Sequence, residues 1–167
     1  MGREVRRVPP HWEHPRDDDG RFIPMLDETF EEAAQEWYAN LVKWQAGKHK
    51  DQVSPYYESA VDHPWFWTWE EPPKPDYYRP AFTEEPTWFQ AYQTVSEGTP
   101  VTPPFATRGE LVDYLTAHGD YWDQKRGNGG WSRGVAEKFV ESEYAPSLMV
   151  TKSDGVVDIR APRDGMP

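Results

Sequence analysis

The chain has 167 residues, a net charge of -11 and no cysteine. It is long enough for one domain or two small ones, and disulfides, thiolate metal sites and cysteine nucleophiles are excluded. A mean hydropathy of -0.93 and the lack of a long apolar run argue against a membrane span, and no apolar segment follows the basic start as a secretory signal requires. We therefore expect a cytosolic protein.

Residues 1–16 are predicted to form a basic, proline-stiffened arm. In this arm three arginines (Arg3, Arg6 and Arg7) precede Pro9-Pro10, and Trp12 lies between His11 and His14. Its arginines could contact nucleic acid or pair with acidic side chains of the same chain. Exposed pairs of that kind stabilise a protein by only about 0–1 kcal/mol each, so Trp12 and the two prolines would supply most of the anchoring.

The region that follows is strongly acidic. Residues 17–87 contain 6 Lys+Arg and 16 Asp+Glu, a net of -10. Such a region repels free nucleic acid. It indicates either a solubilising surface or a surface that fits a basic partner.

The first helix is predicted from about Thr29 to Ala46. Thr29 and Glu32 are spaced as a capping box, and apolar residues recur every three or four positions to draw one stripe. The stripe consists of Phe30, Ala33, Trp37, Leu41 and Trp44. Glu28, Glu32 and Glu36 recur at four-residue intervals, which places successive carboxylates about 6 Å apart on a helix. Glu31 lies among them. This spacing approximates successive phosphates along a nucleic-acid strand.

Residues 63–80 combine three alternating tryptophans with five prolines. The prolines disfavour a helix, and alternation in an extended segment places Trp65, Trp67 and Trp69 on one side. We expect the segment to lie across the domain, with its rings supplying core that the chain lacks in aliphatic residues. An exposed ligand platform is the alternative.

Strands and helices alternate after residue 88. The pattern predicts strands at 88–95 and 99–102 around a turn at 96–98, and helices at 107–118 and 132–143. A hairpin is predicted over 148–159, with Asp154-Gly155 as its turn. The predicted fold is α+β, with three helices and a small antiparallel sheet wrapped by the aromatic, proline-rich segment. Its segments are the arm (1–16), an acidic aromatic region (17–87) and an α+β module (88–167), together forming one compact unit.

Two motifs carry a resemblance. The N-terminal Gly-Arg-Glu-Val-Arg-Arg-Val-Pro (2–9) is followed by Trp-Glu-His-Pro (12–15), and Thr-Val-Ser-Glu-Gly-Thr-Pro-Val-Thr-Pro spans 94–103. With Pro-Asp-Tyr-Tyr-Arg-Pro (75–80), these blocks resemble small accessory proteins of proteobacterial phages and prophages. The function of that family is generally unassigned. The resemblance implies a phage-related accessory protein and implies no catalytic residue.

No motif in the sequence predicts catalysis. Ser96-Glu97-Gly98 is not a nucleophile elbow, and 127–130 lacks the lysine of a phosphate-binding loop. His11 and His14 near Asp17–Asp19 lack the spacing of known metal sites. We therefore predict a protein that is not an enzyme, with no cofactor and no metal.

The function hypothesis is a phage-encoded protein that binds and inhibits a host factor, such as an anti-CRISPR or other anti-defence protein with an acidic, nucleic-acid-mimicking surface. The expected partner is a host protein or ribonucleoprotein with a basic surface in the host cytoplasm, and neither a membrane nor direct nucleic-acid binding is expected. The candidate partner-binding residues are Glu28, Glu31, Glu32, Glu36, Glu70, Glu71, Trp65, Trp67 and Trp69. The alternatives are a virion or assembly component and a weak nucleic-acid-binding protein that uses the basic arm.

Overall fold

The computed structural model describes residues 2–145, 149–153 and 156–160. Its elements, in chain order, are β1 (Arg3–Val8), β2 (Leu26–Thr29), α1 (Phe30–Gln45), α2 (Lys50–Val53), α3 (Phe66–Trp69), β3 (Tyr78–Arg79), β4 (Trp88–Gln93), β5 (Thr99–Pro100), α4 (Arg108–His118), α5 (Tyr121–Arg126), α6 (Arg133–Ser142), β6 (Tyr144–Ala145), β7 (Met149–Ser153) and β8 (Val156–Arg160), with 3-10 turns at Glu58–Asp62 and Pro75–Tyr77. The fold class is α+β, as predicted. The described residues contain more helices than the three expected, because several are a single turn long.

The chain divides into two compact units rather than the single unit expected. Unit 1 comprises Met1–Met25 together with Phe82–Pro167, and unit 2 is Leu26–Ala81. The predicted segment boundaries differ from this division, since the arm and the C-terminal half belong to one unit. Unit 2 is therefore an insertion in the sequence of unit 1.

The predicted arm is a strand of the unit 1 sheet. The sheet has the order β5-β4-β1-β6, and β1 pairs antiparallel with β4 from Arg3↔Gln93 to Val8↔Trp88. β1 also pairs antiparallel with β6. Because both edges of β1 are hydrogen-bonded, the N-terminal residues are an internal part of the sheet.

The arginines of β1 are held within unit 1. Arg3 Nε donates to Asp120 Oδ2 at 2.7 Å, and Arg6 donates to Glu4 Oε1 at 2.6 Å and to the carbonyl of Met25 at 2.8 Å. Both arginines are 5% exposed. The structure thus gives them partners other than the glutamates of the first helix. It also removes two of the three guanidinium groups that a nucleic-acid-binding arm would present.

The core of unit 1 lies where α4 and α6 pack with the sheet. It is formed by small and branched residues around two aromatic rings (Ala91, Val101, Leu111, Val112, Leu115, Trp131, Ala136, Phe139, Val140 and Ala145). α4 begins at the predicted capping box, in which the Thr107 hydroxyl accepts from the backbone N–H of Glu110. α5 was not predicted; its N-cap is Asp120, whose carboxylate accepts the N–H groups of Trp122 and Asp123.

The predicted C-terminal hairpin is confirmed in its strands. β7 and β8 pair antiparallel from Met149↔Arg160 to Ser153↔Val156. The predicted turn at Asp154-Gly155, and residue 148 before the first strand, lie outside the described residues.

Unit 2 is built around α1 and the segment rich in tryptophan. α1 begins at the predicted capping box of Thr29 and Glu32. Two of its tryptophans donate to carbonyls of the later segment: Trp37 Nε1 to Glu70 at 3.1 Å and Trp44 Nε1 to His63 at 3.0 Å. The unit 2 core is correspondingly aromatic, with Trp44, Ala60 and Phe66 buried and Trp37, Leu41 and Trp69 packed against them.

The prediction that Trp65, Trp67 and Trp69 share one side of an extended segment is wrong. Residues 66–69 form the helical turn α3, in which successive side chains do not alternate with a period of two. Trp69 stacks on Trp44, with ring centroids 5.7 Å apart, whereas Trp65 and Trp67 stack on each other. Pro64 precedes α3, and the other four prolines of the segment begin at Pro72, after α3 has ended, so no proline lies within the helical turn.

Candidate functional site

Trp65 and Trp67 form an exposed pair of stacked rings in unit 2. Their centroids are 5.1 Å apart and their planes differ by 11°. The two residues are 55% and 48% exposed, so the expectation that these rings would be packed inside is wrong for this pair. Large aromatic side chains left in contact with water are characteristic of surfaces that bind a partner.

The base of this pair is rigid. Phe66, between the two tryptophans in sequence, is fully buried. Trp69, at the end of the same turn, donates from Nε1 to Asp51 Oδ2 at 3.0 Å. The Thr68 hydroxyl donates to the carbonyl of Trp65 at 2.7 Å. These contacts hold the turn in place, so the two exposed rings are already positioned before a partner binds. This preorganisation lowers the entropic cost of binding.

Two of the predicted glutamates lie next to this turn. Glu70 and Glu71 follow α3 directly and are exposed. The hydrogen bond from Trp37 Nε1 to the carbonyl of Glu70 places the turn of α1 that carries Glu36 against the same segment. Glu71 also pairs with Lys74, with Oε2 and Nζ 3.1 Å apart, and this contact raises the pKa of Lys74. The structure therefore places Glu70 and Glu71 beside the tryptophan-bearing turn, and Glu36 precedes the residue of α1 that is bonded to the same segment.

The remaining glutamates do not form the predicted row. α1 begins at Phe30, so Glu28 lies in β2 and lacks the helical spacing that a phosphate-like row requires. Glu32 is occupied by the cap, since its Oε2 accepts from the backbone N–H of Thr29 at 2.8 Å. This hydrogen bond lowers the pKa of Glu32. Glu31 is exposed in the first turn of α1 and remains available to a partner.

Sequence reasoning missed how many apolar side chains unit 2 exposes. The described residues expose twelve large hydrophobic side chains, of which nine belong to unit 2. They are Phe30, Tyr38, Val42, Val53, Tyr56, Tyr57, Trp65, Trp67 and Tyr77. Tyr56 is the most exposed of them, at 89%. The signal that could have found it is its setting, because Pro55 and polar residues surround it in a segment without an apolar stripe.

Unit 2 is acidic as well as aromatic. Leu26–Ala81 contains 5 Lys+Arg and 11 Asp+Glu, which gives it a net charge of -6. Aromatic anchors surrounded by negative charge suit a protein partner with a basic surface, since charge accelerates encounter and the rings supply affinity. Phosphate-bearing ligands would be repelled.

The histidines and acids of the N-terminal segment do not form a metal site in the structure. Both ring nitrogens of His14 are engaged, Nδ1 with the Tyr92 hydroxyl at 3.1 Å and Nε2 with the carbonyl of Ile23 at 2.7 Å. Asp17 is tied to Arg21, and the backbone N–H of Arg21 lowers its pKa. Among the residues that the structure describes, no group of three or more His, Asp or Glu side chains is placed to hold a metal ion.

The chain matches no family model, and comparison with curated proteins and with solved structures likewise found no match. In the described part of the chain, every helix is too short or too polar to cross a bilayer.

Proposed function

We propose that this chain is a phage-encoded, non-enzymatic binding protein that inhibits a host factor by engaging its basic surface through unit 2. The partner would be a nucleic-acid-binding defence protein or ribonucleoprotein, including a CRISPR effector, in the host cytoplasm. The contact residues would be Trp65 and Trp67 with Glu31, Glu36, Glu70 and Glu71.

The observation that carries the proposal is the exposed stack of Trp65 on Trp67 within a unit of net charge -6. Tryptophan side chains dominate the energetics of many protein interfaces, and leaving two of them stacked in water forgoes the gain from burial. Burial against a partner would recover that gain. The phage origin is supported by the resemblance of residues 2–15 and 94–103 to phage accessory proteins.

The occlusion of a nucleic-acid site is expected to depend on a few contacts more than on a regular row of charges. Glu28 is not helical and Glu32 is committed to the helix cap. The acidic side chains expected to contact the partner are therefore Glu31, Glu36, Glu70 and Glu71. We expect this group to supply long-range attraction and the two tryptophans to supply most of the affinity.

The test is a titration of the purified protein against a panel of purified host defence complexes that bind DNA or RNA, at low and high salt. Replacing Trp65 and Trp67 together with Ala should weaken binding at least about 30-fold, equivalent to about 2 kcal/mol. Changing Glu31, Glu36, Glu70 and Glu71 to Gln should slow association and reduce its salt dependence.

A matched control separates local contacts from net charge. Changing Glu84, Glu85, Glu137 and Glu141, all exposed in unit 1, to Gln removes the same number of charges elsewhere. This variant should retain nearly all of the affinity. Equal losses in the two charge variants, or binding indifferent to both tryptophans, would contradict the proposed interface.

A further inference from the structure

A large open groove in unit 1 is lined by aromatic rings that the proposed function does not use. Its volume is 1210 Å³, and its walls include Trp12, Phe22, Tyr114, Tyr121 and Trp122. Pro100, Pro103 and Pro104 also line it. Pockets for small molecules are commonly about 300–1,000 Å³ and enclose their ligand, so an open groove of this size suits an extended chain better.

The rings of one wall are held in place. Trp122 Nε1 donates to Gln93 Oε1 at 2.6 Å, and the Tyr114 hydroxyl accepts from Gln124 Nε2 at 3.0 Å. Tyr121 packs edge-on against Trp122, with centroids 5.1 Å apart and planes at 79°. The groove therefore presents preformed ring surfaces, which reduces the ordering cost of binding.

The amide side chains of the groove are satisfied within the protein. Gln90 Nε2 donates to the carbonyl of Thr102 at 2.7 Å, and Gln93 Nε2 donates to the Thr99 hydroxyl at 2.7 Å. By contrast, the Tyr121 hydroxyl makes no hydrogen bond to any residue in the described ranges, and the side chain is 48% exposed. A ligand would thus be recognised by ring packing and by accepting a hydrogen bond from an exposed tyrosine.

The segment 13–21 at the groove contains four carboxylates and two guanidinium groups, so its net charge is -2. Arg21, on the rim, is paired with Asp17 and Asp19, and Arg16 lies over the ring of Phe22 and donates to the carbonyl of Gly20. Glu13 is exposed and has no ion-pair partner among the residues described. A free carboxylate at this rim favours a cationic ligand and disfavours a phosphate-bearing one.

We propose that this groove binds a proline-rich segment of a partner protein that carries a lysine or arginine. A polyproline II chain has no internal hydrogen bonds, so its carbonyls are free to accept from the hydroxyl of Tyr121. The pyrrolidine rings of such a chain pack between aromatic side chains at little conformational cost, which is how aromatic-lined grooves recognise proline-rich peptides. The basic side chain would pair with Glu13. This site is independent of Trp65 and Trp67, so the two proposals can fail separately.

The test measures fluorescence anisotropy of a labelled peptide of Pro-Pro-Lys-Pro repeats with the full-length protein. The peptide control replaces every proline with alanine and keeps the lysines. We expect saturable binding of the proline peptide and at least tenfold weaker binding of the alanine peptide. Tyr121→Ala should weaken the proline peptide about tenfold or more, while Tyr56→Ala, which removes an exposed ring from unit 2, should leave it unchanged.

A second variant tests the charge. Glu13→Gln should weaken the lysine peptide a few-fold and remove most of its salt dependence, and it should not affect a peptide in which norleucine replaces lysine. Circular dichroism of each variant checks that unit 1 remains folded. The proposal would be overturned if binding did not saturate at about 1 mM peptide or if the alanine peptide bound equally well. It would also be overturned if Tyr121→Ala left the affinity of a folded protein unchanged, or if labelled single-stranded DNA bound more tightly than the peptide.

Discussion

The ion pair of Arg3 with Asp120 joins the first strand to the start of α5. Their side chains are 7% and 3% exposed, and the same carboxylate caps α5. Asp120→Asn retains a capping side chain but removes the carboxylate charge that the guanidinium of Arg3 contacts. We expect the free energy of unfolding of unit 1 to fall by about 3–5 kcal/mol, because removing one partner of a buried ion pair is strongly destabilising. Urea unfolding followed by tryptophan fluorescence measures the change.

An exposed ion pair provides the comparison. Arg133 pairs with Asp113 and Glu137, and all three side chains are more than half exposed. Arg133→Gln should change the stability by no more than about 1 kcal/mol. If both substitutions had equally small effects, burial of the Arg3–Asp120 pair would have no energetic importance.

We expect His14 to make the stability of unit 1 depend on pH. Burial is the main cause that lowers its pKa from the ordinary value, and the nearby Arg6 and Arg16 act in the same direction. The folded protein therefore resists protonation, whereas the unfolded chain takes up a proton below about pH 6.5. The stabilisation that comes from keeping His14 neutral is therefore fully present above about pH 6.5 and is lost as the pH falls below it. Unfolding curves at several pH values should show that His14→Gln flattens this dependence. Parallel slopes for the two proteins would exclude the role of His14.

Among the elements, β1 has the largest expected effect on the fold. A chain that lacks residues 1–8 should lose the cooperative unfolding of unit 1, because β4 and β6 would lose the strand between them. Far-UV circular dichroism and thermal unfolding of the truncated chain test this expectation. A truncated chain with an unchanged melting curve would favour the arm that the sequence predicted.

The sequence could not predict β1, because charged residues occupy positions of the strand that are buried. A half-buried strand is normally recognised from alternating apolar residues, but in β1 the buried positions include Arg3 and Arg6 as well as Val8. Their partners, Asp120 and the carbonyl of Met25, are distant in sequence. The helices were predictable for the opposite reason. Their capping boxes at Thr29 and Thr107 are local signals within four residues.

Gly98, in the connection between β4 and β5, should tolerate no side chain. Its φ is +122°, and an added Cβ would meet the Arg6 side chain and the carbonyl of Met25. Gly98→Ala should cost about 2–6 kcal/mol through backbone strain and overpacking. Gly20→Ala is the control, since its φ is +78° with open space around it, and it should cost only about 1–2 kcal/mol. Chemical unfolding compares the two, and equal losses would mean that the close approach at Gly98 relaxes freely.

For the whole molecule, the division into two units predicts separable functions. Replacing residues 26–81 with a short Gly-Ser linker should leave unit 1 folded, because its sheet and its core are formed by the remaining residues. This variant should still bind the proline-rich peptide and should not bind the basic partner. Circular dichroism and the two binding assays provide the measurements. Loss of both activities from a folded variant would contradict the division.

The candidate site was predictable in composition and unpredictable in arrangement. The tryptophans of residues 63–69 and the excess of acidic residues are visible in the sequence. That Trp65 and Trp67 are exposed while Trp69 packs on Trp44 depends on the helical turn of α3. This turn is stabilised by Phe66 in a core formed with α1, which is a tertiary effect. The groove was equally hidden, because its walls come from segments about 100 residues apart.

The central position of β1 also has a consequence for biosynthesis. Its partner β4 ends at Gln93, so the first strand emerges from the ribosome long before it can pair. At about 5–20 residues per second, the residues between Val8 and Gln93 take roughly 4–17 s to synthesise. All of Leu26–Ala81 emerges within that interval. The inserted unit can therefore complete its fold during translation, whereas β1 has no partner strand until β4 has been synthesised.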